Sequence, residues 1–171
     1  MKTKQFVSSV SPKQIGVLLA EDNAKFRNSL KLLLASEEDI KIVGEAKNGL
    51  EAVRLAKRLR PDVVVTDLAM PLLNGLQATR QIIEASPTIR VLILSAHPDP
   101  EYIKEALLCG ASGYLIKQSS ILVLPQAVRE VCKGNSFFCA PIAKRLRDHC
   151  RKVFDDGKLE KTNRPPLVGA L

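Results

Sequence analysis

Five residues with chemically versatile side chains stand at the ends of short apolar runs in this sequence. They are an adjacent pair of acids, a third acid, a hydroxyl and an ammonium: Glu21, Asp22, Asp67, Ser95 and Lys117. Apolar runs of this length are typical of buried strands, and in an open parallel α/β sheet ligands bind at the carboxyl edge of the strands. We therefore expect these five side chains to meet at one rim of a sheet.

Asp67 has the neighbours that a phosphoryl acceptor needs. A carboxylate can attack phosphorus in line and form an acyl phosphate. Three close carboxylates repel one another, and a hard divalent cation with oxygen ligands, for which Mg²⁺ is the natural choice, relieves that repulsion. The Lys117 ammonium can hold one phosphoryl oxygen and the Ser95 hydroxyl can donate to another, while the small Ala96 leaves room for the group to enter.

Each of these residues also has an ordinary interpretation when it is taken alone. The pair Glu21-Asp22 can cap a helix, and Asp67 can cap a loop. Ser95 can simply end a strand, and Lys117 can be a solvated surface residue. Their joint occurrence at the ends of four of the strand-like runs favours the phosphoryl-transfer interpretation.

Strand-like runs and helical stretches alternate along the chain. The runs cover residues 15–20, 40–46, 62–66, 89–95 and 112–116. Between them the apolar residues follow a helical period, which is the pattern of βαβ units and a parallel sheet. The inner runs are apolar without alternation, as expected of strands buried on both faces. The pattern predicts an α/β fold.

The last third of the chain has a different character. We expect a helix over residues 121–131 that stops near Gly134, a loop over residues 135–138, and a further basic, amphipathic helix opened by Pro141. The predicted division is a flexible N-terminal tail over residues 1–14, a folded domain over residues 15–134, and a linker helix with a mobile tail over residues 135–171.

Composition narrows the class of protein. With 171 residues, 46% of them hydrophobic, the chain can form one full core. The net charge of +8 belongs to the two ends, because residues 15–124 carry thirteen charges of each sign. The charge is therefore weak support for nucleic-acid binding by the folded part.

The sequence also predicts the compartment. Its four cysteines form neither a C-x-x-C pair nor a disulfide framework, as is typical of reduced thiols in a cytoplasmic protein. No apolar run has the length of a signal peptide core or of a membrane span, so we expect no membrane association.

Taken in order, these residues resemble the receiver domain of two-component response regulators, in particular the NarL/LuxR type. The resemblance is carried by Glu21-Asp22, Asp67, Met70-Pro71, Gly75, Ser95-Ala96, Tyr114 and Lys117, together with the phrases over residues 110–117 and 134–146. It implies a doubly wound, flavodoxin-like (βα)5 fold whose parallel five-stranded sheet has the order 2-1-3-4-5, with an extra C-terminal linker helix.

The resemblance implies a role for each of the three acids. It implies that Asp67 is the phosphoacceptor, which takes its phosphoryl group from a histidine kinase. It also implies that Mg²⁺ is held by Glu21, Asp22, Asp67 and the backbone carbonyl of Ala69.

The remaining site residues receive their roles in the same way. Ser95, Ala96 and Lys117 are implied to bind the phosphoryl group. Ser95 and Tyr114 are implied to form the switch, in which the hydroxyl moves toward the phosphoryl group and the aromatic ring follows. Many receivers have proline after the lysine, but Gln118 stands here, which leaves the geometry of the Lys117-Gln118 peptide open.

The resemblance also carries expectations about partners. We expect a sensor histidine kinase, a homodimer on phosphorylation, and contact with DNA only through an output domain that this chain lacks, so that the protein regulates transcription and is not an enzyme. Two alternatives remain. One is a phosphohydrolase that uses an aspartyl phosphate, although Ala69 stands where such enzymes need a general acid. The other is an interaction domain that keeps the fold and does not use phosphate.

Overall fold

A computed structural model describes residues 14–96, 98–138 and 144 of the chain. Its strands are β1 (Ile15–Ala20), β2 (Ile40–Ala46), β3 (Val63–Asp67), β4 (Arg90–Ser95), β5 (Gly113–Ile116) and β6 (Phe137–Phe138). Its helices are α1 (Ala24–Ala35), α2 (Gly49–Leu59), α3 (Gly75–Ala85), α4 (Pro100–Leu108), α5 (Lys117–Ser120) and α6 (Leu124–Cys132), with a 3₁₀ turn at Ile121–Val123 between the last two.

The strands form one parallel sheet in the order β2-β1-β3-β4-β5-β6. This order confirms the predicted doubly wound fold, since its first five strands run 2-1-3-4-5. The side chains of β3 are all buried, as are those of β5, because helices cover the sheet. The chain order reverses between β1 and β3, and ligands bind at such a switch point.

Four helices begin at side chains that cap them. Asn23, Asn48, Asn74 and Asp99 each accept a hydrogen bond from a backbone N–H in the first turn of α1, α2, α3 and α4. Each cap satisfies a donor that the helix itself leaves unpaired. The caps fix where each helix starts relative to the strand before it, at the rim where the polar residues lie.

The sixth strand corrects the prediction of a loop over residues 135–138. At Gly134, whose φ is +94°, helix α6 ends in a Schellman motif, with Asn135 N–H donating to Glu130 O at 3.0 Å. The chain then runs beside β5, and Phe137 N–H donates to Ser112 O at 3.0 Å. Gly113 permits this approach, because a Cβ there would lie 2.4 Å from Phe137 O.

The predicted helix over residues 121–131 is divided in the structure. A 3₁₀ turn occupies its first three residues, and the regular helix α6 starts at Leu124, with Pro125 in its first turn. Proline is acceptable there because its missing N–H has no partner in a first turn. All described peptide bonds are trans, so Lys117-Gln118 is trans as well.

Two predicted regions fall outside the described residues. They are the N-terminal tail up to residue 13 and, apart from residue 144, the linker helix and tail from residue 139 onward. Within the ranges that are described, the helices are too short or too polar for any of them to cross a bilayer.

Candidate functional site

The three predicted acids lie together at the carboxyl edge of the sheet. Glu21 and Asp22 follow β1, and Asp67 ends β3, which is the neighbour of β1. One carboxylate oxygen from each lies within 4.8 Å of the other two. Glu21 and Asp67 are only 1% and 5% exposed, whereas Asp22 faces solvent. This set combines two buried acids with one open to the outside.

Lys117 bridges the two buried acids. Its Nζ lies 2.8 Å from Glu21 Oε2 and 2.9 Å from Asp67 Oδ2, and its side chain is 18% exposed. Burial by itself lowers the pKa of the Lys117 ammonium, but the hydrogen bonds to Glu21 and Asp67 outweigh burial and raise the pKa above its usual value. The ammonium therefore stays charged at neutral pH.

For Glu21, burial outweighs the hydrogen bond to Lys117 in setting the pKa. Burial raises the pKa of its carboxyl, the hydrogen bond to Lys117 opposes that shift, and the charge of Asp67 raises the pKa further, so the net direction is upward. Asn23 N–H donates to Glu21 Oε1 at 3.1 Å, and an Arg27 guanidinium N–H donates to the Glu21 backbone carbonyl at 2.6 Å. The protein thus holds the carboxylate in place although its charge is unfavourable there.

The donor set fits a hard divalent cation. The three side chains offer carboxylate oxygens and no nitrogen or sulfur ligand, which is the preference of Mg²⁺. Three carboxylates and one ammonium leave the cluster with an excess of formal negative charge. A cation beside the exposed Asp22 carboxylate would supply the missing charge.

The backbone after β3 is held close to Asp67. Ala69 N–H donates to Asp67 Oδ1 at 3.3 Å, and Gly75 N–H donates to Leu68 O at 2.9 Å. A Cβ at position 75 would lie 2.1 Å from Asp67 O, so only glycine lets the start of α3 approach the strand end. This close contact explains the glycine that the sequence places eight residues after Asp67.

A tight turn lies between Asp67 and α3. Leu73 N–H donates to Pro71 O at 2.8 Å, across Leu72 with a φ of +67°. A three-residue turn with positive φ at its centre is uncommon for a residue with a Cβ. The leucine side chain is 76% exposed, so its packing compensates little of the unfavourable backbone conformation.

A cavity of about 330 Å³ opens beside Asp67. Its lining residues are Asp67, Leu68, Ala69, Asn74, Leu76, Ser95, Ala96, Tyr102 and Lys117. Ser95 is buried at the end of β4, and Ala69 and Ala96 are exposed small residues. The structure thus places the predicted hydroxyl, lysine and alanines around one opening.

Tyr114 lies deeper than the other predicted residues. It is fully buried in β5 and does not line the cavity. In the sheet register it stands between Ile93 of β4 and Phe138 of β6. Its role as the switch aromatic stays a prediction.

Three residues that contact Glu21 or Lys117 were missed by the sequence prediction. Asn23 donates to Glu21, Arg27 holds the Glu21 carbonyl, and the Phe26 ring centroid lies 4.7 Å from Lys117 Nζ. Asn23 carries a signal, since an asparagine before a helical pattern predicts an N-cap. Phe26 carries none, because the pattern places it on the apolar face of a helix like any core residue.

Comparison with known proteins gives one consistent result. The sequence profile of the response regulator receiver domain matches residues 17–129. The transcriptional regulatory protein DegU of Brevibacillus brevis is 33% identical over 153 residues, which cover 90% of this chain and 65% of that protein. YdfI of Bacillus subtilis, also a transcriptional regulatory protein, is 38% identical over 132 residues, covering 77% of this chain and 62% of its own length.

A solved structure shows the same likeness in three dimensions. The two-component response regulator of the LuxR family from an Aurantimonas species has a TM-score of 0.77 and 30% identity, covering 80% of this chain and 98% of that one. This chain spans 62% to 65% of the length of the two curated relatives.

Proposed function

We propose, from the premise that this chain belongs to the response regulator receiver domain family, that Asp67 is the residue that accepts its phosphoryl group. The family is regulatory, and accepting a phosphoryl group is its function. One observation supports the assignment most strongly: the Asp67 carboxylate lies at a sheet edge, lines a cavity and is 2.9 Å from the Lys117 ammonium. The NarL/LuxR type suggested by the sequence agrees with the relatives found.

The reaction assigned to Asp67 is a transfer between two residues. A carboxylate oxygen of Asp67 attacks the phosphorus of a phosphohistidine, the new O–P bond forms as the N–P bond breaks, and the leaving imidazole takes up a proton. The donor is a sensor histidine kinase, and this chain receives the group in the cytoplasm. The exposed mouth of the cavity at Ala69 and Ala96 leaves room for that approach.

Glu21, Asp22, Asp67 and the carbonyl of Ala69 are assigned to Mg²⁺. When bound, the ion neutralises the acids and the transferred oxygens. Lys117, now shared by Glu21 and Asp67, can keep its contact to Asp67 while turning toward a phosphoryl oxygen. Ser95 is assigned to a second oxygen.

The conformational switch is assigned to Ser95 and Tyr114. The free energy that phosphorylation can contribute to this switch is limited by the number of new hydrogen bonds. One or two charge-assisted hydrogen bonds contribute about 1.5 to 3 kcal/mol each. Reversing a population from about 1:99 to 99:1 needs about 5.5 kcal/mol. These bonds together give about 1.5 to 6 kcal/mol, which reaches that value only at its upper end, and homodimer formation on phosphorylation is expected to add to it. DNA contact belongs to an output domain in the part of such regulators that this chain does not match.

The test is the covalent adduct itself. The protein is incubated with acetyl phosphate and Mg²⁺, and intact mass is followed with time. A gain of about 80 Da, one phosphoryl group, is expected in the wild type and in Asp39→Asn, and no gain is expected in Asp67→Asn. Asp39 is the matched control because it is an aspartate on the α1–β2 connection, away from the rim.

Other outcomes would contradict the proposal. Rapid release of inorganic phosphate without an accumulating adduct would indicate a phosphohydrolase. No adduct under any condition would indicate an interaction domain that does not use phosphate. A mass gain that persists in Asp67→Asn would place the acceptor elsewhere.

A further inference from the structure

The Lys117 ammonium has a third neighbour besides its two carboxylates. Its Nζ lies 4.7 Å from the centroid of the Phe26 ring. Phe26 is partly buried and packs against the core, and the lysine side chain is 18% exposed. A cation within about 6 Å of a ring centroid is attracted by the negative face of the ring, and more strongly where water is partly excluded.

The backbone of Phe26 is tied to the same acid that Lys117 contacts. Asn23 Oδ1 accepts from the Phe26 N–H at 3.1 Å, and the Asn23 N–H donates to Glu21 Oε1 at 3.1 Å. One residue thus fixes both the start of α1 and the Glu21 carboxylate. The backbone that carries the ring is therefore held in a fixed place relative to Glu21, and the ring itself packs against the core.

A ring supports this ammonium differently from a carboxylate. Lysine has a flexible stem and loses rotamer freedom when it is held in one geometry. A third acid would hold the cation too, but it would compete with a phosphoryl oxygen for the same N–H donors. An aromatic face attracts the cation, excludes water on one side and leaves those donors available.

We propose that Phe26 is a positioning residue that acts through Lys117, holding the ammonium beside Glu21 and Asp67 so that it is in place for the phosphoryl group. The inference rests on the proposed role of Asp67. Phe26 does not itself touch the reacting atoms. Its contribution is to the rate at which Asp67 is phosphorylated, and not to the fold alone.

The test removes the aromatic face and keeps a large apolar side chain. Phe26→Leu and Phe26→Met are expected to slow phosphorylation by acetyl phosphate about fivefold, whereas Phe26→Tyr, which keeps the ring, stays within about twofold of the wild type. Leu33→Ala is the matched control, since Leu33 also lies on α1 and packs against the core. It should lower the stability and leave the phosphorylation rate unchanged.

A second measurement does not depend on phosphorylation. In nuclear magnetic resonance spectra the Lys117 ε-methylene protons should show an upfield ring-current shift. That shift should be lost in Phe26→Leu and kept in Leu33→Ala. Its loss shows that the ring and the ammonium are in contact in solution.

The outcomes separate the two proposals. A wild type that forms the adduct together with a Phe26→Leu variant that reacts at the same rate overturns the role of Phe26 and leaves that of Asp67 intact. An equal slowing by Leu33→Ala overturns it too, because the effect would then be general loss of structure. A wild type that takes no phosphoryl group overturns the role of Asp67, and that of Phe26 with it.

Discussion

At the scale of single residues, the site is organised by an imbalance of charge. Glu21 and Asp67 are buried acids that share one ammonium, and Asp22 adds a third acid at the surface. A buried charge is costly unless it is paired, and burial raises the pKa of Glu21 even though Lys117 is hydrogen-bonded to it. Lys117 offsets part of the repulsion among the three acids, and a cation bound beside them would offset more of it.

Leu72 offers a prediction at the same scale. Its φ of +67° costs about 1 to 2 kcal/mol of conformational free energy for a residue with a Cβ. Because the side chain is exposed, its burial contributes little stabilisation to offset that cost. Glycine removes that cost but adds about 0.5 to 1 kcal/mol of backbone entropy in the unfolded chain. Leu72→Gly should therefore raise the free energy of unfolding by about 0.5 to 1 kcal/mol, measured by urea denaturation.

The matched control is Leu32→Gly. Leu32 is a similarly exposed leucine, at 65%, but it lies within α1. Glycine there should lower the free energy of unfolding by about 1 kcal/mol, because it weakens the helix. If both substitutions destabilise equally, Leu72 carries no backbone strain in solution.

Among the secondary-structure elements, an ion pair links α6 to the connection between α1 and β2. The Arg129 guanidinium donates to both carboxylate oxygens of Asp39, at 2.7 and 2.6 Å, and also to Glu37. A bidentate arginine–carboxylate pair fixes orientation as well as distance. The hydrogen bonds from Arg129 lower the pKa of Asp39 below its usual 3.8.

That shift predicts an acid-dependent contribution to stability. Because the pKa of Asp39 is lower in the folded chain, the unfolded chain takes up the proton first as the pH falls. The stabilisation is present above about pH 3.8 and is lost as the pH falls through the folded-state pKa. Asp39→Asn should therefore flatten the fall in urea midpoint below pH 3.8 relative to the wild type.

Removing the partner provides the control for this pair. Arg129→Gln should flatten the same part of the pH profile, and adding Asp39→Asn to it should change nothing further, since the interaction with Asp39 is already lost when Arg129 is removed. Additive effects of the two substitutions would show that Asp39 and Arg129 act on stability separately.

The sixth strand gives a second prediction for an element. A Cβ at position 113 would lie 2.4 Å from Phe137 O and 2.6 Å from Leu92 Cδ1. Gly113→Ala should therefore push β6 away from β5, cost about 1 to 3 kcal/mol, and speed hydrogen exchange at the Phe137 N–H. Gly16→Ala, whose nearest new contact is a side-chain carbon of Val43 at 3.3 Å, should be milder. Unchanged exchange at Phe137 would mean that β6 is not paired in solution.

The contrast between β3 and β6 shows what the sequence can predict. The run before Asp67 is apolar on both faces, so it predicts a buried strand without any knowledge of the partners. Phe137-Phe138 is too short to show a period, and its pairing depends on Gly113, which is distant in sequence. The same limit applies in the site. The acids and Lys117 follow strands and are therefore predictable, whereas the contact of Phe26 with Lys117 depends on where α1 lies against the end of β5.

At the scale of the whole molecule, the sheet order brings distant parts of the sequence to one place. Strand β3 lies between β1 and β4 in the sheet. Residues as far apart in the sequence as Glu21 and Lys117 therefore reach the same rim. An acidic centre thus forms in a chain whose net charge is +8. The net charge of the chain therefore does not indicate the charge of the ligand, whereas the arrangement of the acids at the rim does.

Binding of a cation at that rim should stabilise the whole fold. A ligand that binds only the folded chain at tenfold excess over its dissociation constant adds about 1.4 kcal/mol to the free energy of unfolding. Mg²⁺ should produce such a shift in urea denaturation of the wild type, at ionic strength matched with NaCl. The shift should be lost in Asp22→Asn, which removes an exposed acid of the cluster and leaves Lys117 with its contacts to Glu21 and Asp67. It should be kept in Asp39→Asn. Equal stabilisation of both variants by Mg²⁺ would place the ion outside the cluster of acids.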